Sequence, residues 1–399
     1  MQDQDNRPDQ FVATATRSME EALHGFEWFA FMRANHPVSY NQRMNDWHLF
    51  RYEDVSRVIT DHHTFSSENV PNFSEQVFLQ KTLVTSDPPD HRRLRTLATQ
   101  AFTPRAINQL SAAIIRITQD VLDKALPQGK IDIVSEVAFP ITTNVLASML
   151  GLPRRDWHLL ARWVQGMDEN DSPHSQEEVI QAHNRMGQEM YDYFLDLLAA
   201  SRREPRGGLI AALCAAEING KGFSEDELVK FCLLLLVAGQ ETMQNLLTNA
   251  IYCVTTHAAA YTDLIRHPEG LPSAIEEVLR YLPPFWITVR RTTTETVLGG
   301  QRIPANTIIQ AWNASANRDT GHFTNPECFD IHRTPNHHLS LGHGIHFCLG
   351  APLARLEARL VLAMMFKQLK HMRCVPNTSI DLGGGPLHRI HSLPILFET

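Results

Sequence analysis

One cysteine near the C-terminus lies in a loop suited to reactive chemistry. Residues 342–350 read GHGIHFCLG, so glycines flank Cys348 on both sides. Backbone N–H groups in such a loop and the positive end of a following helix both favour a thiolate, so we expect the pKa of Cys348 to be lowered. The glycines would let a bound group approach the backbone closely. A buried structural cysteine after a glycine-rich turn is the alternative interpretation.

The residues after this loop predict a helix with one buried face. Apolar side chains recur at steps of three and four residues, and basic side chains fall between them. Pro352 lies in the expected first turn, where a proline costs no hydrogen bond. The helix would therefore begin directly after the loop, with its positive end beside Cys348.

A second candidate site interrupts a long apolar segment. Residues 238–242 read AGQET. Gly239 in a helix interior costs about 1 kcal/mol relative to alanine, a cost that close approach of a flat ligand would explain. Glu241 and Thr242 then place a carboxylate and an alcohol beside the weakened turn. A solvated polar patch with a packing glycine is the alternative interpretation.

Charged residues at helical spacing occur in two further segments. Glu277 and Arg280 are three residues apart, so one helix face can hold both as an ion pair. His91 and Arg95 are four residues apart in the sequence DPPDHRRLR, and one helix face can present both to carboxylates. The spacing of Glu277 and Arg280 is common by chance on a helix, so it is not specific alone.

Together and in this order, these motifs resemble those of the cytochrome P450 family. The resemblance extends from Trp47 to Phe397. It implies that Cys348 is the axial thiolate ligand of the iron of haem b. The family usually has phenylalanine just before the first glycine of the loop, where this chain has Leu341. A branched aliphatic side chain can still pack at that position.

The resemblance also gives roles to the acid and the alcohol. Thr242 would hold a water and the oxygen being activated, while Glu241 would relay protons from solvent. Family members often have threonine or serine after the alcohol, whereas this chain has Met243. Thr242 is therefore the candidate hydroxyl.

Further roles implied by the resemblance concern the haem surroundings. Glu277 and Arg280 would join Arg333, in the segment FDIHR, as structural residues that hold the haem-loop side together. The residues expected to bind the haem propionates are His91, Arg95, Arg290 and His346.

A local basic surface on an acidic protein predicts where electrons enter. The arginines expected around the cysteine side of the haem are Arg92, Arg93, Arg355 and Arg359. We expect this surface to dock an acidic ferredoxin or flavodoxin, whose reductase would use NAD(P)H, so the nicotinamide acts only indirectly. A solvated basic face is the alternative for Arg92 and Arg93.

The substrate pocket is predicted by resemblance alone. Its candidate lining residues are Val84, Leu234, Ala238, Phe285, Trp286, Thr288 and Arg389. Trp286 would narrow the cavity if it points inward, and packing in the core is the alternative. Arg389 would meet a carboxylate or hydroxyl of the substrate, or it would face water.

The activity implied is that of a soluble bacterial P450 monooxygenase. It would insert one oxygen atom from O2 into a C–H bond of an apolar fatty acid, terpenoid or polyketide, by hydroxylation or by epoxidation. A peroxygenase driven by H2O2 is one rival, although its relatives commonly lack the acid–alcohol pair. A haem sensor or carrier is another, and it would need neither a proton relay nor a docking surface.

Composition narrows the class of protein further. The chain has 399 residues and a formal net charge of −8, which argues against nucleic-acid binding. Residues 1–25 lack the apolar core of a signal peptide, and the longest apolar run, residues 231–238, is too short to span a bilayer. Six cysteines without CxxC spacing indicate neither a zinc site nor a disulfide framework. We therefore expect a cytoplasmic protein without a nucleic-acid or membrane partner. We also expect a monomer.

The pattern along the chain predicts a mainly α fold with small β-sheets, α+β in organisation. Since no linker, fixed repeat or low-complexity tract interrupts it, we expect one domain over residues 1–399, with a flexible segment over residues 1–25. Ser224 and Glu227 form a capping box that would start a helix running to about Thr256.

Strands are expected near both ends of the chain. Residues 38–40 and 47–52 would pair around a polar turn, and a β-rich segment would cover residues 286–309. Residues 383–386 and 390–397 are expected to form a C-terminal hairpin.

Overall fold

Helices make up most of the computed structural model, which describes residues 19–70, 79–168, 176–204, 208–376, 382–383 and 389–399. The mainly α organisation with small sheets is the one that the sequence predicts. The helices are α1 (Met19–Asn35), α2 (Tyr52–Thr60), α3 (Asp90–Ala101), α4 (Pro104–Gln109), α5 (Ser111–Ala125), α6 (Phe139–Leu150), α7 (Trp157–Asp168), α8 (Gln176–Arg203), α9 (Gly208–Ala215), α10 (Glu225–Thr256), α11 (Ala258–Arg266), α12 (Leu271–Tyr281), α13 (Asn313–Ala316) and α14 (Ala351–Gln368).

The strands within the described residues are short and form four sheets. They are β1 (Val38–Asn41), β2 (Asp46–Leu49), β3 (Phe65–Ser66), β4 (Lys130–Asp132), β5 (Ile287–Thr292), β6 (Thr296–Leu298), β7 (Gln301–Ile303), β8 (Ile308–Trp312), β9 (Lys370–Cys374), β10 (Leu382–Gly383), β11 (Arg389–Ile390) and β12 (Pro394–Glu398). The largest sheet has the order β1-β2-β8-β5-β3, in which β2 and β8 run parallel and the other pairs are antiparallel. The predicted pairing of β1 with β2 is confirmed.

The chain divides into two compact units. We call Met1–Val70, Leu122–Ala138 and Thr242–Thr399 the sheet unit, because it holds every strand named above. We call Pro71–Val121 and Phe139–Glu241 the helix unit. The expected single domain stays a prediction.

The core of the sheet unit forms where α2 covers the largest sheet. Apolar residues alternate along the strands and recur along α2, so both present one apolar face. The buried cluster contains Val38, Leu49, Val55, Val58, Ile59, Phe65, Leu298, Ile303, Ile309, Ala311, Ala316 and Leu339. Leu339 lies in the segment that leads into the cysteine loop. Its packing in this core therefore fixes the position at which the loop begins.

The predicted capping box of α10 is confirmed. The Ser224 N–H donates to Glu227 Oε2 at 2.8 Å, and the Glu227 N–H donates to Ser224 Oγ at 3.2 Å. These bonds satisfy amide groups that a helix start otherwise leaves unpaired. The helix runs to Thr256, as predicted.

Residues 19–25, the end of the segment expected to be flexible, lie in α1, while residues 1–18 lie outside the described residues, so the expected flexibility stays a prediction. One expectation for the C-terminus needs correction. The expected C-terminal hairpin is wrong over residues 390–397, because β11 pairs with β10 whereas β12 lies between β4 and β9. The Ser392 hydroxyl and the Leu393 N–H both donate to Asp132 Oδ2. These bonds hold the start of β12 beside β4.

One segment of the described chain, Ile133–Leu150, is long and apolar enough to cross a membrane by length and composition. However, 67% of it is buried inside the protein, and the core helix of a folded domain passes the same test. The segment is therefore weak support for a membrane span.

Candidate functional site

The cysteine loop delivers Cys348 to the start of α14. The Cys348 N–H donates to the Leu341 carbonyl at 2.8 Å, and the Ala351 N–H donates to the Cys348 carbonyl at 3.4 Å. Pro352 lies in the first turn of the helix, as predicted. The half-buried thiol is therefore held beside the positive end of an 18-residue helix.

The glycines of the loop serve different purposes. Gly342 and Gly344 have φ angles of 70° and 66°, in the left-handed region that side chains rarely adopt. A Cβ on Gly344 would lie 3.3 Å from Thr60 Cα, so its close neighbour is the end of α2. A Cβ on Gly350 would instead lie 3.9 Å from Cys348 Sγ. The conformation and packing of the loop thus explain why glycine is needed at positions 342 and 344. Gly350 is the glycine that lies beside the sulfur.

A buried ion-pair network holds the chain that leads to the loop. Arg280 donates to both carboxylate oxygens of Glu277 at 2.8 Å, and Arg333 Nε lies 3.2 Å from Glu277 Oε2. The Asp330 N–H and the Asn336 side-chain amide complete the carboxylate's hydrogen bonds, at 2.8 and 3.2 Å. The three charged residues grouped by the sequence therefore lie together and fasten this chain segment to α12.

Glu276 was missed by the sequence analysis, yet it contacts both sides of the loop. Arg355 of α14 donates through Nε and Nη2 to its two oxygens, at 2.7 and 2.8 Å. His338, which precedes the loop, places Nε2 3.2 Å from Glu276 Oε2. Burial raises the pKa of Glu276, but the bonds from Arg355 and His338 outweigh it and lower the pKa to about 2. The sequence signal that could have identified Glu276 is its position directly before Glu277.

The residues assigned to the propionates fall in both units. In the helix unit, His91 is buried on α3 and Arg95 is half-buried one turn later. In the sheet unit, Arg290 is half-buried on β5, and His346 lies in the loop with Nε2 3.0 Å from Ser67 Oγ. Their joint role in binding a haem remains a prediction.

The middle of α10 is accessible where the sequence places the acid and the alcohol. Ala238 and Gly239 are exposed, and the next turn carries half-buried Glu241 and Thr242. Among the described residues, a Cβ on Gly239 would meet Leu146 Cδ1 at 3.7 Å, an ordinary contact. Packing within the protein therefore does not demand a glycine here, which fits a surface that a flat ligand approaches.

The candidate pocket residues lie in different environments. Trp286 is 1% exposed and its ring packs on Phe26 and Phe29, with centroids 5.1 and 5.6 Å apart, so the core alternative describes it. Thr288 accepts a hydrogen bond from Asn313 at 2.9 Å. Leu234 is buried, Phe285, Thr288 and Arg389 are half-buried, and Ala238 and Val84 are exposed. Of the segments that the resemblance places around the pocket, residues 71–78, 170–175 and 387–388 lie outside the described residues.

Two of the four arginines expected on the docking surface are engaged in ion pairs. Arg93 on α3 binds Glu227 on α10, and Arg355 binds Glu276. Arg92 and Arg359 are exposed and form no ion pair with any residue that the structure describes. Helices α3 and α14 thus each carry one arginine that is held in an ion pair and one that is exposed to solvent.

The side chains at the site fit a metal ion that already has most of its ligands from a bound cofactor. Within the described ranges, no three His, Cys, Asp or Glu side chains are grouped so that they could hold a metal ion. Cys348 offers a single sulfur, with a glycine beside it and a helix start behind it. A haem iron takes its equatorial ligands from the macrocycle and needs an axial ligand such as a thiolate from the protein. The residues present therefore fit a haem.

Comparison with known proteins gives the same result. The chain matches the family model for cytochrome P450 over residues 47–266 and 262–380. Cyclomarin C epoxidase CymV from Salinispora arenicola is 35% identical over 94% of this chain and 96% of its own length. Erythromycin C-12 hydroxylase from Saccharopolyspora erythraea is 36% identical over 84% of this chain and 85% of its own.

A solved structure extends the likeness to the fold. The crystal structure of CYP109E1 from Bacillus megaterium in complex with corticosterone has a TM-score of 0.89 and 34% identity. It covers 95% of this chain, and this chain covers all of it. The protein therefore belongs to the cytochrome P450 family, the haem-dependent monooxygenases.

Proposed function

We propose that this P450 inserts one oxygen atom from O2 into a C–H bond of an apolar small molecule, or across a double bond as an epoxide. The observation that supports this most is the position of Cys348 at the start of α14. The loop that carries it is fastened to α12 on both sides, through Glu277 ahead of it and Glu276 across it. A thiolate held in this way would bind the iron of haem b.

The haem would be held by the cysteine and by cationic or imidazole side chains. Cys348 would bind the iron, and the residues proposed for the propionates are His91, Arg95, Arg290 and His346. When bound, the haem supplies the iron at which O2 is activated. His346 is oriented by its contact with Ser67, 3.0 Å away.

Proton delivery is proposed for Glu241 and Thr242. They follow the accessible turn at Ala238 and Gly239, and both are half-buried. A carboxyl in this position can exchange protons with solvent, and the neighbouring hydroxyl can accept one hydrogen bond while donating another. This pair favours a monooxygenase over a peroxygenase, since H2O2 already carries the protons that O2 lacks.

The substrate is proposed to be a largely apolar fatty acid, terpenoid or polyketide. Leu234, Ala238 and Phe285 offer apolar surface, while Thr288 and Arg389 offer polar groups for orientation. Two relatives support such a substrate: one solved relative holds corticosterone, and one curated relative is named for erythromycin.

Electrons are proposed to come from a ferredoxin or flavodoxin and its reductase, with NAD(P)H as the indirect source. Exposed Arg92 and Arg359 are the side chains best placed to meet an acidic partner, because each lacks a described ion-pair partner. We also propose a cytoplasmic, monomeric protein.

The test is a screen of apolar compounds for the low- to high-spin shift of the ferric haem, followed by product analysis under labelled O2. We expect a hit to yield a product with one labelled oxygen atom, dependent on a reductase system. A product formed equally well from H2O2 without a reductase would favour a peroxygenase. Binding without any product under either condition would favour a sensor or carrier.

A further inference from the structure

We propose that Glu276 is a positioning residue that sets the electrostatic environment of the Cys348 thiolate through Arg355. Glu276 lies on α12 and Arg355 lies on α14, the helix that begins three residues after the cysteine. The two side chains form a bidentate pair at 2.7 and 2.8 Å. A bidentate guanidinium–carboxylate pair fixes geometry as well as charge.

His338 ties the same carboxylate to the chain that enters the loop. Its Nδ1 accepts the Ser340 N–H at 3.3 Å, so its Nε2 carries the proton and donates to Glu276 Oε2 at 3.2 Å. The His338 side chain is 4% exposed, and its two ring nitrogens make these two contacts. Ser340 in turn accepts a hydrogen bond from Asn317 at 2.8 Å. Glu276 therefore joins the two arms of the loop, one through His338 and one through Arg355.

The Arg355 guanidinium responds to both anions. The hydrogen-bonded carboxylate of Glu276 contributes most to raising the pKa of Arg355, and the charge of Cys348 adds to it. In the native protein the Glu276 carboxylate offsets positive charge at Arg355, because the two groups are in direct contact. If that carboxylate is neutralised, the full cation acts on the thiolate and on any charge delivered to its iron.

The direction of the effect on reduction follows from charge alone. One-electron reduction of the ferric iron adds a negative charge to the thiolate–iron unit. An uncompensated cation at Arg355 favours the reduced state, whereas an uncompensated carboxylate at Glu276 disfavours it. Removing either partner should therefore shift the reduction potential, with opposite signs for the two variants.

The inference rests on the proposed ligation by Cys348, so the experiment reports ligation and potential separately. The holoenzyme and its variants are titrated by spectroelectrochemistry, and the ferrous–CO spectrum of each is recorded. A strongly red-shifted Soret band shows that the thiolate is bound. A wild-type protein without that band would overturn the ligation and this inference with it.

Glu276→Gln keeps the shape and hydrogen-bonding oxygen of the side chain and removes its charge. We expect the equilibrium constant for reduction to rise by up to about tenfold, ~59 mV for a one-electron couple. We expect it to fall in Arg355→Gln and to return close to the wild-type value in the double variant. Glu276→Asp, which keeps the charge, should retain most of the wild-type potential.

Glu269→Gln is the matched control, because Glu269 lies on an exposed turn and loses the same charge. We expect no shift in that variant. If Glu276→Gln does not retain haem, the test rests on Arg355→Gln and the double variant. The equilibrium constant for reduction should fall in the first and return close to the wild-type value in the second. Unchanged potentials, or shifts of the same sign in both single variants with the red-shifted band intact, would show that the pair is merely structural.

Discussion

Glu277 and Arg280 form a bidentate ion pair whose two side chains are both 0% exposed. Burying two charges costs several kcal/mol per ion unless their remaining hydrogen-bonding groups are also satisfied. Here Arg333, Asn336 and the Asp330 N–H satisfy the carboxylate. The guanidinium of Arg280 also donates to three backbone carbonyls, those of Asn317, Pro326 and Cys328.

Glu277→Gln should therefore destabilise the protein strongly. Arg280 would remain buried without a countercharge, which costs roughly 3–5 kcal/mol in comparable pairs. Chemical unfolding would measure the loss in free energy, and absorbance would measure the haem retained. Glu269→Gln is the exposed control and should leave both values unchanged. Wild-type stability in the Glu277 variant would show that the network is not needed.

Thr242→Ala should uncouple electron use from product formation. Without its hydroxyl, the proposed relay from Glu241 loses its last hydrogen-bonding group, so reducing equivalents would be released as peroxide. The measurement is product formed and H2O2 released per NAD(P)H consumed. Thr255→Ala is the control on the same helix, since its hydroxyl donates to the Ile251 carbonyl. Full coupling in Thr242→Ala would mean that another group delivers the protons.

Partner docking should depend on the exposed arginines. Arg359→Glu and Arg92→Glu should slow reduction by an acidic ferredoxin, by roughly tenfold at low ionic strength, and should weaken its salt dependence. Arg116→Glu, an exposed change on α5, controls for net charge. Arg93 is already paired with Glu227, so its neutralisation should affect stability more than docking. Equal effects of the Arg116 and Arg359 variants would point to net charge instead of a docking surface.

Glu357 should make stability fall as pH rises. It is 4% exposed, its Oε1 has no hydrogen-bond partner within the described structure, and burial raises its pKa to about 8. Between its ordinary pKa and about 8 the unfolded chain loses the proton while the folded protein keeps it, so stability declines over this interval. Below that interval both states are protonated and the penalty is absent.

Glu357→Gln removes this titration and keeps the side-chain shape. We expect the variant to gain stability relative to the wild type between about pH 5 and about pH 8.5, by a few kcal/mol. Denaturant unfolding of both proteins across this range measures the difference. A difference that stays constant with pH would show that the buried carboxyl has an ordinary pKa.

Several parts of the fold could be predicted from local signals in the sequence. The capping box placed the start of α10 because Ser224 and Glu227 satisfy each other's amides without help from the rest of the chain. The hairpin of β1 and β2 followed from the polar turn between two apolar runs. The Glu277–Arg280 pair followed from spacing within one helix turn.

Contacts between distant segments were less accessible. The parallel pairing of β2 with β8 joins residues 46–49 to residues 308–311, and no periodicity encodes it. The Glu276–Arg355 pair likewise bridges two helices, so neither residue stood out locally. Trp286 remained ambiguous because a bulky aromatic suits both a pocket and a core, and its packing on α1 decided between them.

The most direct test of the central claim is the ferrous–CO spectrum of the purified protein beside that of Cys348→Ala. Thiolate ligation predicts a strongly red-shifted Soret band in the wild type and its loss in the variant. Cys328→Ala, which removes an exposed thiol outside the loop, should keep the band. A wild-type protein without the band, or a Cys348→Ala variant that retains it, would contradict ligation of the haem by Cys348.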